Sequence, residues 1–231
     1  MIKSGKKSFG LLCWNIQKSS LTPEFQKEFL HLLQNYSSDL VALQEVKLPQ
    51  GAIPGYFQHF WHALSPNFKR ARHHFGVMTL STLPIVGHTP LKTVTREAGI
   101  ATRKSALLTS HNLPDGTRVA LLNIHAINFV PYRLFAKELN RIMELIERVE
   151  ERRFIVAGDF NTWSRKRERL LESAIESFGL KSLEPENRKL RKSIMGVALD
   201  RIYYRGLNAA SASVIETPIS DHNPIYASFS I

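Results

Sequence analysis

Five short apolar runs that each end in polar residues, and a sixth polar site just ahead of a last apolar run, restrict this chain's fold more than any other feature. Leu11-Leu12-Cys13-Trp14 leads to Asn15, and Leu40-Val41-Ala42-Leu43 leads through Gln44 to Glu45. Val119-Ala120-Leu121-Leu122 leads to Asn123 and His125, Phe154-Ile155-Val156-Ala157-Gly158 to Asp159 and Asn161, and Val197-Ala198-Leu199 to Asp200. Ser220-Asp221-His222 stands ahead of the run at 225–229. The runs must be buried, and a polar group at the end of a buried run is costly to bury without a partner. Taken singly, each polar residue reads as a turn, a helix cap or a satisfied core histidine. Strand ends that converge on one mouth would instead gather carboxylates, amides and imidazoles around one cleft.

The rest of the chain alternates strand-like runs with helical patterns. Strands are expected at 9–15, 40–45, 56–62, 75–80, 85–94, 101–109, 119–125, 154–157, 197–204, 212–215 and 225–229. Thr22-Pro23-Glu24 is a helix start, with Thr22 as N-cap and Pro23 in the first turn, followed by Phe25, Phe29, Leu32, Leu33 and Tyr36 at helical spacing. Residues 132–149 form an amphipathic helix, and 163–178 form another that Gly179 stops. Pro114-Asp115-Gly116 reads as the turn of a hairpin, and 184–193 as a charged loop. No glycine-rich phosphate loop follows the first strand, which counts against a doubly wound nucleotide fold. Many strands with about three helices between them predict an α/β (α+β) fold: two packed β layers with helices outside.

At 231 residues, 43% hydrophobic and 22% charged, the chain suits one globular domain over 1–231, and disorder throughout is excluded. The lone Cys13 excludes an internal disulfide and reads as a small buried hydrophobe. Lys3, Lys6 and Lys7 precede a short apolar run, but Asn15, Gln17 and Lys18 cut it too early for a signal peptide. No stretch reaches the roughly 18 apolar residues of a membrane span. A soluble, cytoplasmic monomer without a transmembrane segment is expected. The net charge of +11 draws polyanions, and both nucleic acid and an anionic lipid surface qualify; the plain alternative is a surface that is basic for solubility.

The motifs Cys-Trp-Asn15-Ile, Leu-Gln-Glu45, Asn-Ile-His125, Gly-Asp159-Phe-Asn161, Leu-Asp200-Arg and Ser-Asp221-His222-Asn-Pro resemble, in order, those of the endonuclease/exonuclease/phosphatase superfamily, which includes the pancreatic deoxyribonuclease and the exonuclease III-type enzymes. The likeness spans Asn15 to Pro224, and residues 76–81, 123–129 and 159–167 look like a little-studied bacterial branch. It implies a four-layer α/β/β/α sandwich of two mainly antiparallel sheets. It also implies an Mg²⁺-dependent hydrolase acting on phosphate esters, with Mn²⁺ able to substitute. Glu45 would be the principal metal ligand, with Asn15 nearby and Asp221 contributing directly or through water. Asp159 would take a proton from the attacking water, and Asn161 would orient water and phosphate. His222 and His125 would donate to phosphate oxygens, with Asp200 orienting His222. Abasic-site enzymes commonly carry tyrosine where His125 stands, so the broader branch of deoxyribonucleases, deadenylases and lipid phosphatases is indicated.

Two basic clusters, Lys69, Arg70 and Arg72, and Arg188, Lys189 and Arg191, are candidates to grip phosphates at the cleft rim; each could also be a solvated face. Trp163 reads as packing more readily than as base stacking. Three functions compete: a nuclease, a phospholipid phosphodiesterase or phosphoinositide-type phosphatase at a membrane, and a binding module without catalysis. The charge favours the first two, the missing hydrophobic insertion weighs against the second, and the complete acid and histidine set argues against the third.

Overall fold

The computed structural model describes residues 8–97 and 102–230. Lys3, Lys6, Lys7 and Ala101 lie outside them. Among the described residues fourteen strands and three α-helices run in the order β1 (Ser8–Asn15), α1 (Pro23–Asn35), β2 (Leu40–Pro49), β3 (Trp61–Arg70), β4 (His73–Ser81), β5 (Ile85–Lys92), β6 (Ser105–Asn112), β7 (Arg118–His125), α2 (Tyr132–Glu147), β8 (Arg153–Asp159), α3 (Arg165–Ser177), β9 (Lys181–Ser182), β10 (Ser193–Ile194), β11 (Val197–Ala198), β12 (Asp200–Arg205), β13 (Asn208–Val214) and β14 (Ile225–Ser230). One six-stranded sheet has the order β13-β14-β1-β2-β4-β3 and the other β5-β6-β7-β8-β12-β9, while β10 and β11 form a separate hairpin. Each sheet is antiparallel except at its centre, where β1 pairs parallel with β2 and β7 with β8. α1 and α2 are the crossovers of these two parallel pairs, as a parallel connection requires.

The layers follow from alternation. Leu11 and Cys13 face Val119, Leu121, Ile155 and Ala157 between the sheets. Leu12 and Trp14 point the other way, onto Phe25, Phe29 and Leu32 of α1. In the second sheet Leu122, Phe154 and Val156 turn outward to Phe135, Leu139 and Ile142 of α2 and Leu171 and Ile175 of α3. A central strand apolar on both faces must be covered on both, which gives the α/β/β/α sandwich. Among the described residues no helix is long and apolar enough to cross a membrane.

Several local readings are corrected. Residues 56–60 are not a strand, and only 61–62 of the expected 56–62 are: Phe57, Gln58 and Phe60 donate to Pro54, Gly55 and Phe57 in tight turns, and Phe57 is buried against Phe29. The aromatics that suggested a β pattern cover the end of α1 instead. β3 begins only at Trp61 and runs through Arg70, so the basic cluster there spans the end of β3 and its hairpin turn into β4. The third helix begins later than read, at Arg165, with the Ser164 side chain accepting from Arg167 N–H. The expected strand 197–204 breaks at Leu199 into β11 and β12, and the charged loop holds a single helical turn at Arg188–Leu190.

Three features aim the strand ends. Gly158 has φ +144°, and a Cβ there would lie 1.9 Å from the Ile124 carbonyl oxygen, so only glycine lets β7 and β8 close up immediately before Asp159. A bulge in β2 sets Gln44 and Glu45 against the single residue Val77 of β4, and Glu45 takes φ 54°. Bulges of this kind re-aim a side chain. Below them, Gln44 Nε2 donates across the sheets to Asn123 Oδ1 at 2.8 Å, and Asn123 Nδ2 returns a bond to Met78 O at 2.9 Å.

His111 offers a test of the packing at the far end. Its ring lies fully buried between Ser81 Oγ at 3.1 Å and Thr109 Oγ1 at 2.8 Å, and burial lowers its pKa from 6.5 to about 4. The unfolded chain therefore binds the proton more readily than the folded one. Stability from the neutral ring is complete above the unfolded value of 6.5 and is lost as pH falls toward 4, about 2 kcal/mol of it by pH 5. Urea unfolding of the His111→Asn variant should show correspondingly less loss between pH 8 and pH 5. Equal losses in the two proteins would contradict a neutral buried ring.

Candidate active site

Both parallel pairs end at the same mouth, and the antiparallel β12 starts there because Asp200 pairs in register with Asp159. His125 likewise pairs with Asp159. The cleft encloses about 800 Å³ and is lined by Asn15, Glu45, His125, Asp159, Asn161, Asp221 and His222. Asp200 stands behind it, holding His222 Nδ1 at 2.7 Å. The mouth is stitched across the sheets: His222 meets Asp200, Asn15 Nδ2 donates to Asp159 Oδ2 at 3.1 Å, and His125 Nε2 lies 3.7 Å from Glu45 Oε1. Trp14 Nε1 donates to His222 O at 2.9 Å and Ser220 Oγ to Asn15 O at 2.7 Å, which pins the loop before β14 to the end of β1.

Burial raises the Asp159 pKa, and the neighbouring Asp200 carboxylate raises it further. Burial alone would lower His222, but Asp200 outweighs it and pushes the imidazole up to about 9. His125 moves the opposite way: burial and then the ammonium of Lys104 hold it well below 6.5. Lys104 Nζ lies 2.8 Å from His125 Nε2, and since an ammonium only donates, Nε2 must accept. The two histidines thus differ in charge as well as position.

Glu45 Oε2 lies 3.4 Å from Lys18 Nζ and Oε1 lies 3.7 Å from Lys104 Nζ. These separations exceed a hydrogen bond and leave lone pairs for a hard cation. Asp159, Asp200 and His222 also offer ligand atoms that all lie within 4.8 Å of one another. There, however, His222 Nδ1 already serves Asp200 Oδ2, and of the fully buried atoms in this group Asp200 Oδ1 is the one without a hydrogen-bond partner among the described residues. Asp221 Oδ2 pairs with Lys192 Nζ at 2.8 Å and Oδ1 lies 3.8 Å from His222 Nε2, so its carboxylate keeps different company from that of Glu45.

The basic clusters divide. Lys69 and Arg70, at the end of β3, line the cleft, whereas Arg72 sits in the hairpin turn at φ 61° outside the lining. Arg188 and Lys189 lie in an exposed helical turn, and Arg191 is taken by Glu184 at 2.9 Å, so none of the three lines the cleft; Lys192 does. The sequence reading passed over Lys18, Lys104 and Glu97. It attended to the ends of strands, whereas Lys104 stands immediately before the start of β6, which is antiparallel to β7 and brings Ser105 opposite His125. The cation pair Arg103-Lys104 against the front of an apolar run was the available signal.

Arg167, within the charged run that opens α3, is buried. Its guanidinium donates to Asn161 O at 3.2 Å and Val130 O at 2.5 Å and lies over the rings of Trp163 and Phe135. It ties the loop after β8 to the loop after β7, and Trp163 packs within this brace.

Four layers with an acid and imidazole cleft at one end of the central strands define an α/β/β/α sandwich with its functional groups on strand ends. The chain belongs to the endonuclease/exonuclease/phosphatase family, whose sequence profile, described as "Endonuclease/Exonuclease/phosphatase family", matches residues 12–222. The family is typically one of metal-dependent phosphoesterases. A UPF0294 protein of Erwinia tasmaniensis is 36% identical over 225 residues, covering 96% of this chain and 81% of the relative. An endonuclease/exonuclease/phosphatase of Beutenbergia cavernae superposes with TM-score 0.73 at 16% identity, over 98% of this chain and 72% of that one. The human Nocturnin catalytic domain with bound sulfate gives 0.67 at 18% identity, over 97% and 93%. D. rerio TDP2 complexed with single strand DNA product gives 0.68 at 16% identity, over 98% and 100%. At these identities the solved structures speak for the fold alone.

Replacing Arg167 by Met keeps bulk but leaves two buried carbonyls unpaired, which should cost about 2–3 kcal/mol in urea unfolding. Arg165→Ala on the same helix, exposed and paired only with Glu168, should cost under about 0.5 kcal/mol. Similar costs for the two would remove Arg167 from the brace.

Proposed function

We propose that the protein is an Mg²⁺-dependent phosphodiesterase that hydrolyses nucleic acid, working as a single-domain monomer. One observation carries the reading: Asp159 and the His222–Asp200 pair face Glu45 in a cleft whose walls also carry Lys18, Lys69, Arg70, Lys104 and Lys192. A polyanion with a scissile phosphate suits such a cleft. Glu45, with Asn15 beside the same mouth, is assigned to hold a divalent cation, which when bound would neutralise phosphate charge and steady the leaving oxygen.

The chain's own groups account for the proton transfers. Asp159 accepts a proton from the attacking water; its raised pKa makes it a stronger base than an exposed carboxylate. Its two oxygens are held by Asn161 N–H at 3.0 Å and Asn15 Nδ2 at 3.1 Å, which fixes the direction of transfer. Asn161 gives one Nδ2 hydrogen to Ala126 O, which orients its amide and leaves Oδ1 and the second Nδ2 hydrogen to meet the water and the phosphate. His222, charged at neutral pH and oriented by Asp200, donates from Nε2 to a phosphate oxygen where negative charge develops. His125 is neutral and accepts from Lys104, so we assign the second donor to Lys104 and give His125 the task of holding that ammonium in place. Nocturnin with bound sulfate and TDP2 with a single strand DNA product show that proteins of this fold receive oxyanions and nucleic acid, which supports the reading.

The direct test is purified protein with Mg²⁺ against plasmid, single-stranded DNA, RNA, phosphoinositides and sphingomyelin. Cleavage of nucleic acid is expected, and cleavage of lipid alone would replace this reading with the membrane one. Exhaustive EDTA should abolish turnover and Mg²⁺ or Mn²⁺ restore it; activity that survives chelation would remove the metal from the mechanism.

Asp159→Asn and His222→Ala should each lower kcat by on the order of 10² or more, with Asp200→Asn weaker in the same direction. Steady-state kinetics on folded protein decide this, and near-normal turnover in either of the first two would refute the assigned role. The double change Lys69→Ser with Arg70→Ser should raise KM more than it lowers kcat. It should also flatten the dependence of log K on log salt by roughly 0.9 for each duplex-DNA phosphate that is no longer neutralised. An unchanged slope would place the binding cations elsewhere.

A further inference from the structure

Phe129 is the exposed aromatic at the catalytic cleft, and its surroundings are built to keep it there. It lies four residues after His125, lines the cleft with Asn161 and is 68% exposed. A single exposed apolar side chain would need no explanation. This one sits at φ 45°, a left-handed conformation that a residue with a bulky side chain adopts only when its neighbours impose it. Met195, also exposed at φ 50°, is accounted for by the two-residue turn it forms with Gly196 between β10 and β11. No such turn accounts for Phe129.

The imposing contacts come from three directions. Glu97 Oε1 accepts the Asn128 backbone N–H at 2.7 Å, and Trp163 Nε1 donates to Asn128 Oδ1 at 2.9 Å. On the other side Arg167 holds Val130 O. Ile127 and Val130 are buried on either side, so the residues flanking Phe129 are anchored and the ring alone is turned out. Burial of the ring would have stabilised the fold; the loop forgoes that burial.

The same cleft supplies the complement. Phe68 and Phe75 stack with centroids 4.4 Å apart and planes 4° from parallel, and both line it beside Lys69 and Arg70. Aromatic faces alternating with cations along one groove are the means by which single strands are bound, because every base has a π face and every linkage a charge. A paired base is already stacked on both sides and cannot present a face to Phe129.

We propose that Phe129 is a stacking platform for an unpaired nucleobase next to the scissile phosphate, and that the substrate is single-stranded nucleic acid. The inference rests on the nucleic-acid reading given above and narrows it. A membrane would also accept an exposed phenylalanine beside lysines, but it would take any apolar side chain, whereas stacking requires a flat one.

The test uses a labelled single-stranded oligonucleotide, the same oligonucleotide with abasic residues flanking the cleaved linkage, and anionic phospholipid vesicles. Kinetics are measured for the full chain and for Phe129→Ala, Phe129→Leu and Phe129→Trp. Ala and Leu should raise KM for the intact strand by about 10-fold with kcat little changed, and Trp should preserve it, as expected when one base can no longer stack. Abasic residues should raise KM for the unchanged protein and add nothing further in the Ala variant. Leu performing like the unchanged protein on the intact strand, or abasic residues penalising all variants equally, would overturn the platform while leaving the nucleic-acid reading intact. Activity confined to vesicles would overturn both. If Ala alone fails to fold, the Leu and Trp pair carries the comparison.

Discussion

The hydrogen bond from Gln44 to Asn123 is the constraint on which the site depends most. Both amides are fully buried between the sheets, where an unpaired one is expensive, so the sheets can slide only by breaking the pair. Gln44 immediately precedes Glu45, and Asn123 stands two residues before His125. Fixing the amides therefore fixes the separation of the carboxylate on one sheet from the imidazole on the other. Apolar contacts alone would not do this, since Leu11, Leu121 and Ile155 could repack after a small shift at modest cost. The polar pair provides the register and the apolar layers provide the stability.

Strain collects at the same end. Eight non-glycine residues have positive φ among the described residues, and Gln17, Lys18, Glu45, Phe129 and Asn161 of these line the cleft. The remaining Ala71, Arg72 and Met195 lie in hairpin turns. Strained positions at the mouth are held by bonds from other elements: Lys18 N–H donates to Glu45 O at 2.9 Å, and Asn161 is held between Asp159, Ala126 and Arg167. Strain of this sort costs about 1–3 kcal/mol per residue and persists where the surroundings over-determine it. The buried layers below the mouth, with Leu11, Leu12, Leu121 and Leu122 all 0% exposed, supply that excess stability.

Much of this was legible in the sequence, and the reason is geometric. A strand buried on both faces must change character where it leaves the core, so Asn15, Asp159 and Asn123 announce themselves as the first polar residues after apolar runs, with His125 two residues beyond Asn123. The two parallel pairs then bring those ends together without further specification. The pattern fails in two ways. It reads a strand from its C-terminal end, so it misses groups such as Lys104 that reach the mouth from the front of an antiparallel strand. It also reads composition as conformation: Tyr56, Phe57 and Phe60 have strand-forming side chains, but the buried cluster around Phe25 and Phe29 draws them into turns. Arg167 was hidden for a related reason, since nothing in a run of five charged residues says which one turns inward.

The division of charge within the cleft gives the net charge of +11 a local meaning. Glu45, Asp159 and Asp200 form an acidic floor, and against an anionic substrate that floor would repel. Lys18 and Lys104 lie directly beside Glu45, while Lys69, Arg70 and Lys192 stand along the lining. On the proposed nucleic-acid reading, the outer cations would hold phosphates that flank the reacting one, and those interactions would be the same before and after bond cleavage. The inner group is different: Lys104 is held by His125 Nε2 at 2.8 Å, with the carboxylates of Glu45 and Glu97 at 3.7 and 3.9 Å. A cation fixed in this way pays its reorganisation during folding rather than during reaction, which is the condition under which a charge stabilises a transition state more than a ground state. Burial first, and then the ammonium 2.8 Å away, hold the His125 pKa well below 6.5, so the same arrangement keeps a second positive charge away from Lys104.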